Sequence, residues 1–366
     1  MSKKLRRILT WAVAIVALAF VSYVVPIRDR VLDPDDGRTR VALVHHGDGS
    51  CEVLGTVRRQ TLDAAACGAL KVEPGLETTV KRARPWVLVA LFGLYMAGTL
   101  LWAVRWRALL ALARVDMPVL SVWRVVLEAQ AGGVLLPGGV AGDALRIAAV
   151  GARTKETAKV AASVFLDRAV GLLTVCLAAL GAAVVSGGLG GTDGLMTPLF
   201  AIPLGSALGW MLLRGTRYAG SERFAVTRVG KVLTPMLAYA RAPGGTGVVL
   251  RATAVSILVS LTQLFVIRGL CSALGVTPSS EAWVFAGTAF TFMVSALPTL
   301  PGAWGTGDAA FVFFLARAGV APSEALAICL LYRIYWYLSA ILGALLTIGR
   351  RGDNERIHSD SGSQRS

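Results

Sequence analysis

The chain is poor in the residues on which most catalytic sites depend. It has only three histidines and five cysteines among 366 residues, and 16% of its residues are charged. It contains no H-E-x-x-H motif, no G-x-S-x-G motif and no P-loop lysine. Two of the histidines, His45 and His46, are adjacent but have no third histidine nearby, so we expect no metal there. These absences argue against a metal, nucleophile or nucleotide-dependent enzyme, and we expect no cofactor.

Hydrophobic residues make up 55% of the chain and the mean hydropathy is +0.63. Soluble proteins are typically about 45–50% apolar, so the sequence predicts an integral membrane protein. The net charge of +15 comes from 37 Lys and Arg against 22 Asp and Glu. These charges follow the loops between apolar runs rather than a folded polar module, so we do not expect nucleic acid as a partner.

The five cysteines do not form the pattern of a disulfide-rich scaffold. Cys51 and Cys67 share the single long polar loop, and they are disulfide candidates if that loop is outside the cell. The sequence leaves open whether they pair. The other three lie in apolar runs, where a small buried side chain is the simplest interpretation. These are Cys176, Cys271 and Cys329.

Several apolar stretches have the length of about 20 residues that crosses a bilayer as a helix. They occupy residues 8–25, 85–104, 158–186, 195–213, 252–271 and 323–348. The first is longer than a signal-peptide core and no A-x-A-like cleavage site follows it, so we interpret it as an uncleaved span. Two further stretches, 118–150 and 282–318, are interrupted by Pro-Gly pairs. Each predicts a re-entrant hairpin of two short half-helices.

Basic loops predict the orientation of the spans. Residues 214–251 contain seven Lys and Arg and one acidic residue, and residues 146–159 and 350–351 are also basic. By the positive-inside rule these segments and both termini lie in the cytoplasm. Residues 187–194 and 272–281 contain no Lys or Arg, which places them outside.

The loop 26–84 contains ten basic and nine acidic residues. A loop of this length is tolerated outside because long loops are translocated largely regardless of charge. Residues 46–50 are turn-like and lie between apolar-rich flanks, which predicts a hairpin over 40–56. We therefore expect a small, β-like exterior subdomain.

A short motif occurs twice in the apolar region. Each copy has a Pro-Gly pair, then a Gly-Asp pair, then an arginine 25 positions after the aspartate. The copies consist of Pro137, Gly138, Gly142, Asp143 and Arg168, and of Pro301, Gly302, Gly307, Asp308 and Arg333. On the orientation above the two hairpins enter the membrane from opposite sides, so the repeats are inverted, as in many transporters. We expect these prolines and glycines, with Pro298 and Gly305, to be hinge or re-entrant positions.

Arg168 lies next to Asp167 and ten or more residues inside a span. An unpaired charge there costs about 2.5–3.5 kcal/mol on insertion scales, so Arg168 should face the bundle or a wet cavity. Asp143, Asp167 and Asp308 are the candidate partners. An ion pair that only holds helices together is the alternative. Guanidinium groups and helix N-termini would otherwise bind an anionic head group such as phosphate.

The other membrane-region arginines have simpler interpretations beside the functional one. Arg333 lies in an aromatic segment, 331–337, typical of a membrane interface, where it would snorkel. Arg268 either lines the same cavity or points outward, and Arg105 is most simply a cytoplasmic anchor. Arg146 lies one helical turn after Asp143, so it pairs with that carboxylate or reaches lipid phosphate at the inner surface.

Five segments carry a resemblance to a known family. They are Arg105-Trp106-Arg107, Leu136-Pro137-Gly138, residues 163–172, Pro301-Gly302-Ala303-Trp304-Gly305 and Tyr332-Arg333. In this order, over about residues 85–348, they resemble the lysylphosphatidylglycerol synthetase transmembrane region, also called the flippase-like or UPF0104 family. The resemblance implies a polytopic plasma-membrane protein that moves an anionic or modified lipid between leaflets.

The chain departs from that family in two respects. Full-length synthetases continue into a soluble aminoacyl-transferase domain, whereas sixteen residues follow Arg350 here, so the resemblance does not imply aminoacylation. The family usually has Glu after the second Pro-Gly motif, where the nearest acid here is Asp308.

The sequence thus predicts an all-α polytopic membrane protein with about six full spans, two re-entrant hairpins in inverted repeats and a small exterior subdomain. Its parts are an N-terminal helix (1–25), the exterior loop (26–84), the flippase-like domain (85–350) and a disordered cytoplasmic tail (351–366). We expect a non-enzymatic lipid translocase of the plasma membrane. The residues expected to bind the lipid head group are Arg168, Arg333, Asp143, Arg146, Asp167 and Asp308.

Two other functions stay open. One is a membrane-embedded transferase acting on a lipid-linked substrate, with Asp143 or Asp308 as base. The other is a non-catalytic partner of an envelope-biogenesis enzyme that docks through the loop 26–84.

Overall fold

The computed structural model describes residues 26, 28–32, 40–47, 49–54, 59–70, 72–73, 75–135, 141–185, 205, 244–295 and 304–363. The predicted span at 8–25 lies outside these residues, as does the span at 195–213 apart from residue 205. The Pro and Gly residues that interrupt both predicted hairpins also lie outside them. These are Pro137, Gly138, Pro298, Pro301 and Gly302.

The N-terminal described part is a small subdomain with a four-stranded antiparallel sheet in the order β1-β2-β3-β4. Its elements are β1 (Arg30–Leu32), β2 (Arg40–His45), β3 (Cys51–Leu54), β4 (Arg59–Leu62), α1 (Ala64–Ala69) and α2 (Leu76–Lys81). β2 and β3 pair from His45 opposite Cys51 to Ala42 opposite Leu54, and they are joined by the turn-like segment that predicts a hairpin. Alternate residues of these strands point to one face, so Val41, Leu43, Cys51 and Val53 form a common core.

A disulfide joins Cys51 on β3 to Cys67 on α1. The two Cα atoms are 6.0 Å apart, and the bond closes a loop of 16 positions. Both cysteines are part of the buried core of the sheet. The α1 helix is also fixed at its start, where Oδ1 of Asp63 accepts a hydrogen bond from the N–H of Ala66 at 2.8 Å. The disulfide therefore ties the capped helix to the centre of a small core.

Replacing both Cys51 and Cys67 by serine should lower the free energy of unfolding of this subdomain by about 3 kcal/mol, because the cross-link restricts the unfolded loop. Limited proteolysis of the full chain measures this. The double variant should be cut within the sheet at protease concentrations that leave the wild type intact. Cys176→Ala, which removes a free buried cysteine of the bundle, should not increase cleavage within the sheet. Equal cleavage of the wild type and the double variant would contradict the prediction.

The rest of the described chain forms a helical bundle. Its helices are α3 (Pro85–Leu112), α4 (Val119–Leu135), α5 (Ala141–Thr154), α6 (Thr157–Val185), α7 (Gly245–Ala273), α8 (Glu281–Ser295), α9 (Thr306–Ala316) and α10 (Pro322–Ser363). Four of them contain segments long and apolar enough to cross a membrane. These segments are Pro85–Leu112, Thr157–Ala178, Gly245–Ala273 and Pro322–Leu346. The chain is a helical, multi-pass membrane protein.

The helix pair α4–α5 starts and finishes on one side of the bundle, the side at which α3 terminates. Ala113 and Val115, which follow α3, share a buried cluster with Val150 near the end of α5 and Val160 near the start of α6. The helix α4 starts a few residues after this point. The α6 helix therefore also starts at this end of the bundle.

The α8–α9 pair begins and ends at the opposite end. There the N–H of Arg84, just before α3, donates to the carbonyl of Ala273 at the end of α7 at 3.1 Å. The N–H of Ser279, just before α8, donates to the carbonyl of Ala318, just after α9, at 2.8 Å. Leu76 of the N-terminal subdomain packs against the buried cluster of this end. The subdomain and the starts of α8 and α10 therefore share one end of the bundle.

Close approach of α10 to α4 depends on Gly343. A Cβ added at Gly343 would lie 2.2 Å from the carbonyl oxygen of Leu127 on α4. Contacts of this kind, in which a small residue lets two backbones meet, are a common basis of helix association in membranes.

The α10 helix continues to Ser363, so residues 351–363 are helical where the sequence predicts a disordered tail. Nucleation is the costly step of helix formation, and here the apolar first part of α10 supplies the nucleus. Each further residue then adds a hydrogen bond at little cost.

Candidate functional site

In each copy of the motif the aspartate pairs with the arginine 25 positions after it. On α5, Asp143 accepts a hydrogen bond at Oδ2 from Nε of Arg168 on α6. On α9, Asp308 accepts a hydrogen bond at Oδ1 from Nε of Arg333 on α10 at 2.8 Å. Each aspartate is the third residue of its short helix, where the positive end of the helix dipole stabilises a carboxylate. Each arginine is the twelfth residue of the following helix. The two copies thus have the same local geometry.

The second pair is the more enclosed one. Arg333 is 6% exposed, and its guanidinium lies 4.4 Å from the ring centroid of Trp304. Oδ2 of Asp308 accepts a hydrogen bond from the N–H of Gly305 at 2.9 Å, and Sγ of Cys329 lies 3.2 Å from Oδ1. Gly305 caps α9 with a φ of 77°, a left-handed conformation that favours glycine. Arg333 is therefore held inside the bundle, and the alternative of an arginine that snorkels to the interface is wrong.

Asp167 does not pair with its neighbour Arg168. Its Oδ1 accepts a hydrogen bond from Nε of Arg105 at 2.7 Å, and its Oδ2 accepts from Nη2 of Arg146 and from Nε1 of Trp102, both at 2.8 Å. Successive residues of a helix point about 100° apart, so Asp167 and Arg168 face different neighbours. Asp167 is the centre of a buried network rather than the counter-ion of Arg168.

Arg105 is part of this network, so its interpretation as a cytoplasmic anchor is wrong. It is 5% exposed, and its Nη1 donates to Oγ of Ser256 on α7 at 2.7 Å. The residue lies near the end of a long apolar helix, which made the anchor interpretation natural. Arg105 instead lies in the interior, where the carboxylate of Asp167 on α6 pairs with it. A buried charge is stable only with such a partner.

Arg146 connects this network to the first Asp–Arg pair. Its Nη2 donates to Asp167, and its Nη1 lies 3.5 Å from Oδ1 of Asp143. Its guanidinium stacks over the ring of Trp106 at 3.9 Å. Arg146 is 1% exposed, so it lies in the interior rather than at the inner surface. Its Nε has no hydrogen-bond partner among the described residues.

One cavity of about 380 Å³ is lined by members of both motif copies. Arg168 and Asp143 line it from the first copy, and Arg333 lines it from the second. Arg146 lines it as well. The two copies of the motif are therefore close to each other in the structure, because residues from both line the same cavity.

The cavity suits an anion. Its lining contains three guanidinium groups and one carboxylate. When the bonded Arg105, Asp167 and Asp308 are counted as well, four guanidinium groups lie with three carboxylates, which gives a formal charge of +1 among the described residues. Gly142 and Gly307, the second residues of α5 and α9, also line it. Helix N-termini carry partial positive charge and N–H groups that the helix leaves unpaired. Both the side chains and the backbone thus favour a negatively charged group.

Gly142 and Gly307, predicted as hinge positions, are helical residues. A Cβ at Gly142 would lie 2.8 Å from the carbonyl oxygen of Ala129 on α4, so glycine lets α5 approach α4 closely. Gly307 is buried in the first turn of α9. Their role as hinges stays a prediction.

Most of the uncharged lining was not predicted from the sequence. Tyr332 and Trp336, which the sequence assigns to an interface belt, line the cavity. Gln130 on α4 and Gln263 on α7 line it too. Amides within apolar runs were the available signal, because polar groups at membrane depth tend to face the protein interior.

Arg268 does not belong to this site. Its Nε donates to the carboxylate of Glu281 at 2.8 Å, and its side chain is 33% exposed. It is not among the residues that line the cavity. The described residues also contain no group of three or more His, Cys, Asp or Glu that could hold a metal ion.

Comparison with known proteins places this bundle in a family. No curated protein matches the chain. Residues 75–343 match the family model described as the Lysylphosphatidylglycerol synthase TM region. The match covers most of the chain and includes both Asp–Arg pairs and every described residue that lines the cavity. The chain therefore belongs to the Lysylphosphatidylglycerol synthase TM region family.

Proposed function

We propose that this protein moves a lipid with an anionic head group between the leaflets of the membrane, and that the cavity holds the head group during passage. The observation that carries the proposal is the convergence of Arg168 and Arg333, one from each motif copy, on one positively charged cavity. A lipid phosphate in the hydrocarbon region needs such partners, because an uncompensated charge there is costly.

The depth of the two arginines supports this proposal. Each lies about 16 Å along its helix from the first residue, at 1.5 Å per residue. The helices α6 and α10 start at opposite ends of the bundle, so both guanidinium groups reach similar depth from opposite sides. The hydrocarbon core is about 30 Å thick, so this distance is about half of its thickness. Sites between inverted repeats at this depth are typical of alternating-access transporters.

The uncharged lining has the same symmetry. Gln130 is the twelfth residue of α4 and Phe292 is the twelfth residue of α8, and both line the cavity. These two helices enter the bundle from opposite ends. The paired contribution of α4 and α8 extends the correspondence beyond the residues that define the motif.

The contacts of each residue suggest its role. Arg168 has a side chain that is 40% exposed, so its guanidinium is accessible to a head group. We assign phosphate binding to Arg168 and Arg333, and assign their orientation to Asp143 and Asp308. Arg146 adds positive charge to the cavity wall. Asp167 is 1% exposed and already accepts from three donors, which fits a structural role better than direct contact with lipid.

We also propose that the protein lies in the plasma membrane with both termini in the cytoplasm and the N-terminal subdomain outside. The subdomain contacts the end of the bundle that contains the connection 274–280 between α7 and α8, which has no Lys or Arg. A disulfide in this subdomain fits an oxidising exterior.

Movement of an acyl-labelled fluorescent phosphatidylglycerol in vesicles reconstituted with the full chain tests the proposal. The rate at which label becomes accessible to an outside quencher should be higher than in protein-free vesicles. Arg168→Ala should reduce the protein-dependent rate about tenfold or more, because one charge-assisted hydrogen bond contributes about 1.5–3 kcal/mol.

Arg268→Ala is the matched control, since it also breaks an ion pair within an apolar helix but lies away from the cavity. It should retain most of the wild-type rate. A wild-type rate equal to that of protein-free vesicles would exclude this lipid as a substrate of the proposed translocase. Equal losses in both variants would mean that Arg168 acts through helix packing rather than through the cavity.

A further inference from the structure

The two aspartates of the repeated motif differ in their surroundings. Asp143 lines the cavity, whereas Asp308 is not among the described residues that line it. The side chain of Asp143 is 13% exposed and that of Asp308 is 3% exposed. The motif therefore presents one carboxylate to whatever enters the cavity and keeps the other behind the cavity wall.

Asp308 is held by three residues. Its Oδ1 accepts a hydrogen bond from Nε of Arg333 at 2.8 Å and lies 3.2 Å from Sγ of Cys329. Its Oδ2 accepts a hydrogen bond from the N–H of Gly305 at 2.9 Å, which caps the start of α9. Moving this carboxylate would break contacts with all three residues, so Asp308 is a fixed part of the site.

Asp143 is bonded only to guanidinium groups among the described residues. Its Oδ2 accepts a hydrogen bond from Nε of Arg168. Its Oδ1 lies 3.5 Å from Nη1 of Arg146, which is beyond the usual length of a hydrogen bond. Carboxylate and phosphate oxygens bind guanidinium groups in the same way. An anion that enters the cavity therefore competes with Asp143 for both of its partners.

Arg146 is held in place without the help of Asp143. Its Nη2 donates to Asp167 at 2.8 Å, and its guanidinium lies 3.9 Å from the ring centroid of Trp106 and 5.1 Å from that of Trp102. Its buried Nε has no hydrogen-bond partner among the described residues. Arg146 would thus keep its position and its charge if the carboxylate of Asp143 turned away.

The second copy of the motif shows what a displaced aspartate can bind. Asp143 and Asp308 are each the third residue of a helix. Asp308 uses one oxygen to accept from the N–H that precedes its helix. An aspartate at this position can therefore be satisfied at the start of its own helix, where the helix dipole also stabilises the negative charge. Asp143 need not remain unpaired when an anion takes its partners.

We propose that Asp143 is an internal substitute for the lipid phosphate. In the empty cavity its carboxylate occupies the position between Arg168 and Arg146, and the phosphate of an entering head group displaces it. The proposal rests on the proposed function for the identity of the ligand. A carboxylate and a phosphodiester each carry one negative charge, so the exchange never leaves the guanidinium groups uncompensated at membrane depth. Return of Asp143 to this position promotes release of the lipid, while Asp308 remains in place and orients Arg333.

Binding of a short-chain phosphatidylglycerol to the purified full chain in detergent tests the proposal. Asp143→Asn removes the competing charge, so it should bind this lipid about tenfold more tightly than the wild type, which corresponds to about 1.4 kcal/mol. Asp143→Glu keeps the charge and should bind nearly as the wild type does. The variants should fold, because Arg146 keeps its bond to Asp167 and the side chain of Arg168 is 40% exposed. Equal or weaker binding by Asp143→Asn would overturn the proposal.

Asp308→Asn is the matched control, because it makes the same change at the same position of the other copy. It should bind phosphatidylglycerol no more tightly than the wild type, since this carboxylate does not line the cavity. A diacylglycerol with the same chains but no phosphate should bind equally to Asp143→Asn and to the wild type. A gain for the diacylglycerol, or an equal gain from Asp308→Asn, would contradict a specific exchange at Asp143.

A double variant separates displacement from a general change in charge. In a protein that already has Arg168→Ala, the gain from Asp143→Asn should fall to about threefold or less, because the main partner for which carboxylate and phosphate compete is gone. The same gain with and without Arg168 would mean that Asp143 acts only through its charge, and the proposal would then fail.

A lipid head group and a free phosphodiester have the same charged chemistry, so the source of the phosphate needs its own test. Glycerophosphoglycerol has the head group of phosphatidylglycerol without acyl chains. It should bind to the wild type about tenfold or more weakly than the short-chain lipid, because the aromatic part of the wall, which includes Tyr95, Phe292 and Trp336, favours apolar chains. Equally tight binding of the two would overturn the assignment of the exchange to a lipid.

The vesicle assay gives a second measurement of the same exchange. Asp143→Asn should reach half of its maximal rate at a lower mole fraction of phosphatidylglycerol, and its maximal rate should be lower, because a more tightly bound lipid is released more slowly. A higher maximal rate would contradict a role of Asp143 in release.

Binding does not depend on movement of lipid, so the two proposals fail separately. Tighter binding by Asp143→Asn in a protein that moves no lipid would refute translocation and support the exchange. Movement of lipid by the wild type, together with unchanged binding by Asp143→Asn, would support translocation and refute the exchange.

Discussion

Replacing Asp167 by asparagine should lower the free energy of unfolding by about 3–5 kcal/mol, because it leaves two buried guanidinium groups without their carboxylate. Arg105 and Arg146 are 5% and 1% exposed, and both donate to Asp167. Asparagine has the same shape but presents only one oxygen, so it cannot accept all three hydrogen bonds or balance the charge. The midpoint of urea unfolding of the purified protein in detergent measures the change.

Asp116→Asn is the matched control for this substitution. The side chain of Asp116 is 90% exposed, and its carboxylate lies 3.4 Å from Arg107. Surface ion pairs contribute about 0–1 kcal/mol, so the control should unfold almost as the wild type does. Similar losses for Asp116→Asn and Asp167→Asn would show that the network around Asp167 is not what stabilises the bundle. A stable Asp167→Asn variant that moves no lipid would show that Asp167 takes part in binding the lipid rather than in stabilising the bundle.

Removing Arg333 should slow lipid movement about as much as removing Arg168, by tenfold to a hundredfold, since each supplies a charge-assisted hydrogen bond to the same phosphate. The double variant Arg168→Ala with Arg333→Ala should be clearly faster than the product of the two single effects would predict. Residues that act on one bound group are not independent, and a double-mutant cycle measures the coupling between them. The reconstituted vesicle assay gives all four rates.

Pairing Arg168→Ala with Arg268→Ala provides the comparison for this cycle. Arg268 lies away from the cavity. The reduction in rate for the double variant should therefore equal the product of the reductions for the two single variants. Independent effects for Arg168 and Arg333 as well would mean that the two arginines do not contact one head group. The single-cavity arrangement would then have no role in passage.

The two Asp–Arg pairs are local features of the chain, although the sequence alone left three carboxylates open as partners of Arg168. A separation of 25 positions spans a short helix, a turn and the first turns of the next helix. Two consecutive antiparallel helices bring such residues together whatever the rest of the fold does. The repeated spacing of 25 positions is therefore the signal from which both contacts could have been predicted.

The partners of Asp167 were not predictable in this way. Arg105 lies 62 positions before Asp167 and Ser256 lies 151 positions after Arg105. Their contact depends on which faces of α3, α6 and α7 meet. All three helices are apolar over most of their surface, so their sequences do not show which face is turned inward. For the same reason the sequence did not predict that Gln263 lines the cavity. It also led to the prediction that Trp336 lies at the membrane interface.

The sheet stapled by Cys51–Cys67 is fastened to only one end of the described bundle, through Leu76 and the hydrogen bond from Arg84 to Ala273. In the proposed translocase, two inverted halves of identical sequence would be related by a two-fold axis, and the inward-facing and outward-facing conformations would then have equal energies. An appendage at one mouth removes that degeneracy, because only one of the two conformations can keep all of its contacts. In the proposed translocase the sheet would therefore favour one of the two conformations before any lipid binds, and it would change the time that the protein spends facing each side of the membrane.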